Sequence, residues 1–348
     1  MKRIYILAVA LFAVLACNKD EVKEINRGSA IDFRAAMATK ASEYTDANLE
    51  EFVVTALTDD GVAYFSGVTY SKEDGSSYFT SETPYYWPAS GNLHFYAYYP
   101  EPSDLGNDVA IVIDKENKTL TGYTPSDNIS EQKDIIIAYA EGNRDENAED
   151  GIAMAFAHQL SRVEVYADNT NTGYSYSVMG VRIAKAFPTG TLDFSNGSAW
   201  EESGDKVIYE VKYDSPVTIS AEASDLLGGF AMLIPQNTSA WNVDEDKENM
   251  SGGSYLSVLV QINTTAGSRI YPETTGDEGD VEYAWMATPV EFNWEPGYKY
   301  VYTLKLGTGG GYVDPDETDP GEEILGGTMK FDGDVDSWWG YSFDSLDL

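Results

Sequence analysis

The sequence predicts an all-β protein made of two β-sandwich domains. Apolar and polar residues alternate with period two in several runs, the clearest being Leu93–Tyr99, Val207–Tyr213 and Tyr298–Leu306. This period places successive side chains on opposite faces of a strand. The chain also contains 25 tyrosines, a residue type that favours strands. No stretch longer than about ten residues has the periodicity of an amphipathic helix. Two sandwiches follow because 348 residues are enough for two domains of ordinary size.

Further runs are apolar enough to form strands that are buried on both faces. They are Ala110–Ile113, Ile135–Tyr139, Phe230–Ile234 and Tyr255–Ile262. Turn-forming pairs such as Asp60-Gly61 and Asn196-Gly197 stand between the predicted strands. We therefore expect short strands that are joined by tight turns.

The first residues resemble the signal peptide of a bacterial lipoprotein. Lys2 and Arg3 form a basic head, and Ile4–Ala16 forms an apolar core that is too short to span a bilayer. The core ends in Val14-Leu15-Ala16-Cys17, which is similar to a lipobox. An ordinary signal peptide with a chance cysteine is the alternative. Cys17 is the only cysteine, which excludes an intrachain disulfide and a thiolate metal cluster. We expect residues 1–16 to be removed and a lipid to be attached to Cys17.

The charge of the chain limits its partners. The formal net charge is −36, and removal of Lys2 and Arg3 with the signal peptide makes it −36 − 2 = −38. Such a surface repels nucleic acid and anionic lipid headgroups. We therefore expect no nucleic-acid partner.

Polar stretches predict where the domains end. An acidic stretch at residues 141–150 predicts a boundary between a first domain that ends at residue 150 and a second domain over residues 151–307. Residues 308–327 are rich in Gly, Pro, Asp and Glu, a composition that favours a flexible linker.

An aromatic tail over residues 328–348 follows the predicted linker. Its apolar residues include Met329, Phe331, Val335, Trp338 and Trp339. Two interpretations are open: the tail packs on its own domain, or it adds a strand to an exposed sheet edge of another molecule.

No motif predicts catalysis or a metal site. His94 and His158 stand in separate strand-like runs with no metalloprotease pattern nearby, so we expect both to be structural. A nucleophile elbow and a dinucleotide fingerprint are both missing from the sequence. Asp332, Asp334 and Asp336 alternate along the tail without the spacing of a calcium loop. We predict a protein that is not an enzyme and that needs no cofactor.

Tryptophans raise an alternative function, because exposed aromatic rings stack on sugars. The five that precede the tail are Trp87, Trp200, Trp241, Trp285 and Trp294. A glycan-binding surface lipoprotein is therefore the second hypothesis. Most of these residues stand in apolar runs, which favours a place in the sandwich cores.

An ordered set of motifs resembles the fimbrillins, which are the subunits of type V pili, including their Mfa-like branch. The motifs are Tyr85-Tyr86-Trp87-Pro88, Leu93-His94-Phe95-Tyr96-Ala97-Tyr98-Tyr99-Pro100, Asp134-Ile135-Ile136-Ile137-Ala138, Phe156-Ala157-His158-Gln159-Leu160-Ser161-Arg162-Val163, Met232-Leu233-Ile234-Pro235-Gln236 and Trp294-Glu295-Pro296-Gly297-Tyr298-Lys299-Tyr300. They extend over nearly the whole mature chain.

The resemblance implies two transthyretin-like, Greek-key sandwiches and assembly by donor-strand exchange. A trypsin-like surface protease would remove a leader, residues 17–40, together with the first strand of a domain over residues 41–150. The tail of another subunit would then fill the groove. The leading strand would lie near residues 29–36, with Ile31 and Phe33 facing inward.

Three basic residues are candidates for the cleavage site that the resemblance implies. We favour Lys40, because it stands among small residues where a protease can reach the backbone. Arg34 and Arg27 are the alternatives. The resemblance thus implies an outer-membrane lipoprotein precursor that becomes a stalk or adaptor subunit of a cell-surface fimbrium. Its partners would be other fimbrial subunits, the protease and, through the lipid, the outer membrane.

Overall fold

A computed structural model of the chain describes residues 25–37, 49–195, 197–274, 276 and 280–337. The strands in the first part of the chain are β1 Ile25–Ala30, β2 Phe33–Met37, β3 Glu51–Thr58, β4 Ala63–Lys72, β5 Phe79–Thr80, β6 Tyr86–Pro88, β7 Leu93–Tyr99, β8 Ala110–Ile113, β9 Lys118–Tyr123, β10 Ile136–Gly142 and β11 Ile152–His158. The helices are short: α1 Pro102–Leu105, α2 Arg144–Asn147 and a 3-10 turn at Ile129–Glu131.

The second part of the chain contains strands and no helix among its described residues. They are β12 Ser161–Asn169, β13 Tyr174–Ala186, β14 Thr189–Asp193, β15 Ala199–Ser203, β16 Val207–Thr218, β17 Ser224–Asp225, β18 Ala231–Leu233, β19 Asn237–Thr238, β20 Tyr255–Thr264, β21 Arg269–Tyr271, β22 Ala284–Pro289, β23 Phe292–Asn293, β24 Tyr298–Leu306, β25 Tyr312–Val313 and β26 Lys330–Ser337. The predicted all-β class is confirmed.

The first domain is a sheet that closes on itself. Its strands follow the order β10-β11-β2-β5-β4-β3-β7, and β7 pairs again with β10. Alternation along the strands directs one set of side chains inward. The aromatic residues at the centre of this core are Phe33, Phe52, Phe95 and Phe156. Burial of this apolar surface is the main contribution to the stability of the domain.

The second domain is a sandwich of two sheets. One sheet has the order β17-β12-β24-β26, with β18 also paired to β12, and the other has the order β16-β13-β20-β22-β25. Val165, Val181 and Leu304 are among the buried residues between the two sheets. The strand β26 stands at the edge of its sheet.

A four-stranded sheet of order β15-β14-β9-β8 joins the two domains. The pair β14–β9 brings strands of both domains together, for example at Leu192 and Leu120. Both side chains are fully buried in a separate apolar cluster. The two domains are therefore packed together through an apolar contact.

Strand prediction was most accurate where period two was clear. The predicted strands at 93–99 and 298–306 coincide with β7 and β24. The expectation that Ala110–Ile113 is buried on both faces is wrong. That run is β8, at the edge of the joining sheet, and Val112 is 43% exposed. Apolar composition alone does not distinguish a central strand from an edge strand.

The predicted domain boundary after residue 150 is also wrong. The strand β11 pairs with β10 and β2 and completes the first domain. Met154 and Phe156 are fully buried in the core of that domain. The acidic stretch at 141–150 contains α2 and connects two neighbouring strands. The boundary lies after β11 instead.

The prediction that residues 308–327 form a flexible linker is contradicted. The strand β25 pairs with β22, and Ile324 and Asp314 are buried. A Cβ atom at Gly310 would lie 2.2 Å from the Ile324 carbonyl oxygen, so this glycine permits a close approach of two backbone segments. Burial raises the pKa of the Asp314 carboxyl, and Arg182 lies 3.5 Å from it. The segment belongs to the folded second domain.

Candidate functional site

The segment that the sequence predicts as the leading strand is built into the first domain. Two short strands, β1 and β2, replace the single predicted strand at 29–36. The strand β2 runs parallel to β11 over five residue pairs, from Phe33–Ile152 to Met37–Phe156. It meets β5 on its other side at one pair, Phe33–Phe79. The leading segment therefore occupies a groove between β11 and β5.

The groove buries Ile31 and Phe33, the two residues that the fimbrillin resemblance places on the inner face of the leading strand. Ile31 is 1% exposed and Phe33 is not exposed. The Phe33 ring makes edge contacts with the rings of Tyr70, Phe95 and Phe52, at centroid distances of 4.7, 5.2 and 6.0 Å. Such edge-to-face pairs stabilise an aromatic core beyond their buried area. Phe33 thus fills the centre of the domain.

Backbone hydrogen bonds fix the segment at the entrance to the groove. The Ile31 amide donates to the Tyr85 carbonyl at 2.8 Å, and the Ile152 amide donates to the Asp32 carbonyl at 2.9 Å. Gly151 has φ +68°, and a Cβ atom there would lie 2.9 Å from the Asp32 oxygen. Burial also raises the pKa of the Asp32 carboxyl. These anchoring contacts join distant parts of the chain, so no local sequence pattern indicated them.

The structure places two of the three predicted cleavage sites inside strands. Arg27 belongs to β1, which pairs with β6. Arg34 belongs to β2 and is aligned with Ala153 of β11. A protease must bind its substrate as an accessible extended chain, so either site requires prior separation of a strand. Lys40 lies outside the described residues, and so does Cys17.

The tail of the chain lies on its own domain. The strand β26 pairs antiparallel with β24 from Lys330–Lys305 to Ser337–Tyr298. In this single chain the tail therefore packs on its own domain, which is the first of the two interpretations. Trp338 and Trp339 lie outside the described residues.

Few side chains hold the tail strand. Met329 is 2% exposed and belongs to the core of the second domain, but Phe331 is 37% exposed and Val335 is 62% exposed. A Cβ atom at Gly333 would have no neighbour within 4 Å. The inner face of β26 is therefore largely exposed to solvent beyond Met329. This is so although β26 is aligned with the buried residues Tyr302 and Leu304 of β24.

One ion pair connects β26 to its sheet. The Lys305 ammonium lies 2.6 Å from Asp168 and 3.0 Å from Asp332. Hydrogen bonds to Asp168 and then Asp332 raise the pKa of Lys305. An exposed pair of this kind contributes little to the stability of a fold. Sequence analysis noted that Asp332 alternates with other residues along the tail but could not identify Lys305 as its partner.

His94 lies on β7, and His158 ends β11, the strand that pairs with the leading segment. His158 is buried, and its Nδ1 atom contacts Asp134 Oδ2. His94 is about a quarter exposed and contacts Tyr139 and Asp59.

The five described tryptophans do not form an exposed row of the kind that binds sugars. Trp87, Trp241, Trp285 and Trp294 are each 5% exposed or less. Trp200 is partly buried, and its Nε1 donates to the Gln159 carbonyl at 2.7 Å. These five rings therefore belong to cores and to the domain junction, as their apolar surroundings in the sequence indicated.

No helix among the described residues is long and apolar enough to cross a membrane.

The chain is similar to solved structures of candidate cell adhesion proteins and of a fimbrial protein. A candidate cell adhesion protein from Bacteroides uniformis aligns at 13% identity and TM-score 0.49, with 89% of this chain and 98% of that chain covered. One from Parabacteroides distasonis aligns at 12% identity and TM-score 0.49, with 89% and 99% covered. The fimbrial anchor protein Mfa2 from Porphyromonas gingivalis aligns at 11% identity and TM-score 0.36, with 90% and 99% covered.

The family assignment rests on a different comparison. A search of curated proteins found no match. The model of the family described as "Fimbrillin-like" matches residues 34–328, which is well over half of the chain. The chain belongs to the fimbrillin-like family.

Proposed function

We propose that this protein is a stalk or adaptor subunit of a cell-surface fimbrium and that it polymerises by protease-triggered strand exchange. The lipid on Cys17 holds the precursor at the outer membrane. A trypsin-like protease then cuts after Lys40 and releases the leading segment. The tail of a second subunit, including Phe331, Val335, Trp338 and Trp339, enters the groove. A subunit with both a removable leading strand and a donor tail can be extended in both directions.

The observation that carries this proposal is the contrast between the two end segments. Ile31 and Phe33 are almost completely buried, whereas Phe331 and Val335 are 37% and 62% exposed. Both segments are paired strands, so both have partners for their backbone groups. The leading segment is thus part of a core, and the tail is an edge strand that can leave its sheet at lower cost.

Loss of the leading segment would leave the first domain incomplete. Removal of a large apolar side chain from a core costs about 2–5 kcal/mol, including the cavity that remains. Loss of β2 would also leave the facing edges of β11 and β5 unpaired, and unpaired edges add further strands readily. An incoming tail with aromatic residues supplies both backbone partners and volume.

Cleavage is needed because the leading segment competes as part of the same chain. A tethered segment acts at an effective concentration of about millimolar, whereas the tail of another subunit must arrive by diffusion. After cleavage, a displaced leader diffuses away. The exchange then becomes irreversible in practice.

Substitution of Lys40 by alanine tests the cleavage step. We expect a chain beginning at Asn18 and carrying Lys40→Ala to keep its leading segment after limited trypsin and to stay monomeric. The parent chain should form a ladder of high-mass species. Mass spectrometry of the new N-terminus and size-exclusion chromatography measure the two effects. Lys133→Ala is the matched control, because this lysine is exposed and lies outside the leader.

Two results would contradict parts of this proposal. Wild-type polymerisation of Lys40→Ala with a new N-terminus after Arg34 or Arg27 would show that Lys40 is not the site. Polymerisation of the uncleaved chain would overturn the requirement for cleavage.

A further inference from the structure

Three side chains that can bind a metal ion meet at one end of the first domain. The ligand atoms of Asp59, His94 and Glu141 all lie within 4.8 Å of one another. His94 Nε2 lies 3.2 Å from Asp59 Oδ1, and His94 Nδ1 lies 3.8 Å from Glu141 Oε2. Ligand atoms around a tetrahedral zinc ion are about 3.3 Å apart, given bond lengths of about 2.0–2.1 Å. The distance from His94 Nε2 to Asp59 Oδ1 matches this spacing.

The three residues are positioned by neighbouring strands. His94 lies near the start of β7 and is aligned with Glu141 of β10. Asp59 follows directly after β3, the strand on the other side of β7. Sites on paired strands are held more precisely than sites on separate loops. The ligands are far apart in the sequence, so no motif indicated them.

Asn92 orients both carboxylates. Its Nδ2 donates to Glu141 Oε1 at 2.8 Å, and its backbone amide donates to Asp59 Oδ2 at 3.2 Å. One oxygen of each carboxylate is thus held, and the other lies close to the imidazole ring. Asn143 Nδ2 donates in turn to Asn92 Oδ1 at 3.2 Å. Outer contacts of this kind are typical of metal sites, where they orient the ligands.

Tyr139 completes the surroundings of the imidazole. Its hydroxyl lies 2.9 Å from His94 Nδ1. When Nδ1–H donates to this hydroxyl, Nε2 has a lone pair available for a metal. In metal-binding histidines, one ring nitrogen commonly donates a hydrogen bond, and the other ring nitrogen then binds the metal.

We propose that Asp59, His94 and Glu141 form a binding site for a divalent transition-metal ion such as Zn²⁺. The donor set is one imidazole nitrogen and two carboxylate oxygens, which suits Zn²⁺ better than Ca²⁺, because Ca²⁺ prefers oxygen ligands alone. The partial exposure of all three side chains leaves room for water as a fourth ligand. A bound ion would connect β3, β7 and β10 and stabilise the first domain.

Isothermal titration with ZnCl₂ tests the site directly. A chain beginning at Asn18 lacks Cys17 and therefore contains no thiol. It is treated with chelator before the titration. We expect one Zn²⁺ per chain, no saturable binding of Ca²⁺ and a higher melting temperature with Zn²⁺. The chain has only two histidines, so the imidazole NMR signals give a second readout. Zn²⁺ should shift one histidine and leave the other unchanged.

Variants assign the binding to these residues. His94→Ala, Asp59→Asn and Glu141→Gln should each weaken Zn²⁺ binding by at least about tenfold, and Asn92→Ala should weaken it by about 10–100-fold. The exposed Glu82→Gln is the matched control and should bind as the parent does. Circular dichroism without metal confirms that each variant is folded. A Kd weaker than about 1 mM for the parent chain, or unchanged binding in folded variants of all three ligands, would overturn the proposal.

Discussion

Replacing Phe33 with alanine should destabilise the uncleaved protein by about 3–5 kcal/mol, the usual cost of removing a buried phenylalanine from a core. Phe33 is fully buried and contacts three aromatic rings, so the first domain has no simple way to close the cavity. Urea unfolding of the chain beginning at Asn18 measures the change in the free energy of unfolding. The parent and the variant are compared at the same pH.

Phe331→Ala is the matched control for this experiment. The same substitution at this partly exposed position of β26 should cost no more than about 1 kcal/mol. The difference between the two variants measures how much more firmly the leading segment is held than the tail. Equal effects would mean that the leading segment is not an essential part of the core.

Locking the tail onto its own sheet should abolish polymerisation. Val301 of β24 and Asp334 of β26 are direct partners in the antiparallel register. Residues opposite each other in such a pair have Cα atoms about 4.5–5.5 Å apart, which suits a disulfide. We expect a chain beginning at Asn18 with Val301→Cys and Asp334→Cys to stay monomeric after oxidation and trypsin cleavage. Reduction should restore the ladder.

Controls separate the lock from other effects of the substitutions. Each single cysteine variant lacks the crosslink within the chain and should polymerise after cleavage when it is kept reduced. The N-terminus of the oxidised double variant must show complete cleavage, so that loss of assembly reports on the tail. Normal polymers from the oxidised, cleaved double variant would exclude β26 as the donor.

Local patterns predicted much of the fold. The strands β7 and β24 were found with their bounds because alternation is a property of a few consecutive residues, and Pro100 ends the first of them. Strand bounds of this kind need no knowledge of the rest of the chain. The inward direction of Ile31 and Phe33, in contrast, was implied by the resemblance to the fimbrillins.

Features that depend on distant contacts were missed or misjudged. The place of β11 in the first domain depends on pairing with β2, which no local pattern records. The glycines of the predicted linker were interpreted as flexible, but Gly310 permits a close backbone contact with Ile324. In the same way, Asp59, His94 and Glu141 come together only through the register of three strands.

The most direct test of strand exchange is to identify which chain lies beside β11 in the polymer. An acceptor chain with Ala153→Cys, a residue of β11 aligned with Arg34 of the leading segment, is mixed with donor chains that carry a cysteine at Asp332, Asp334 or Asp336. Both begin at Asn18 and have no other cysteine. After trypsin cleavage, oxidation should give a disulfide between acceptor and donor for at least one donor position, and none before cleavage. Polymers that form without a crosslink at any of the three positions would contradict the account.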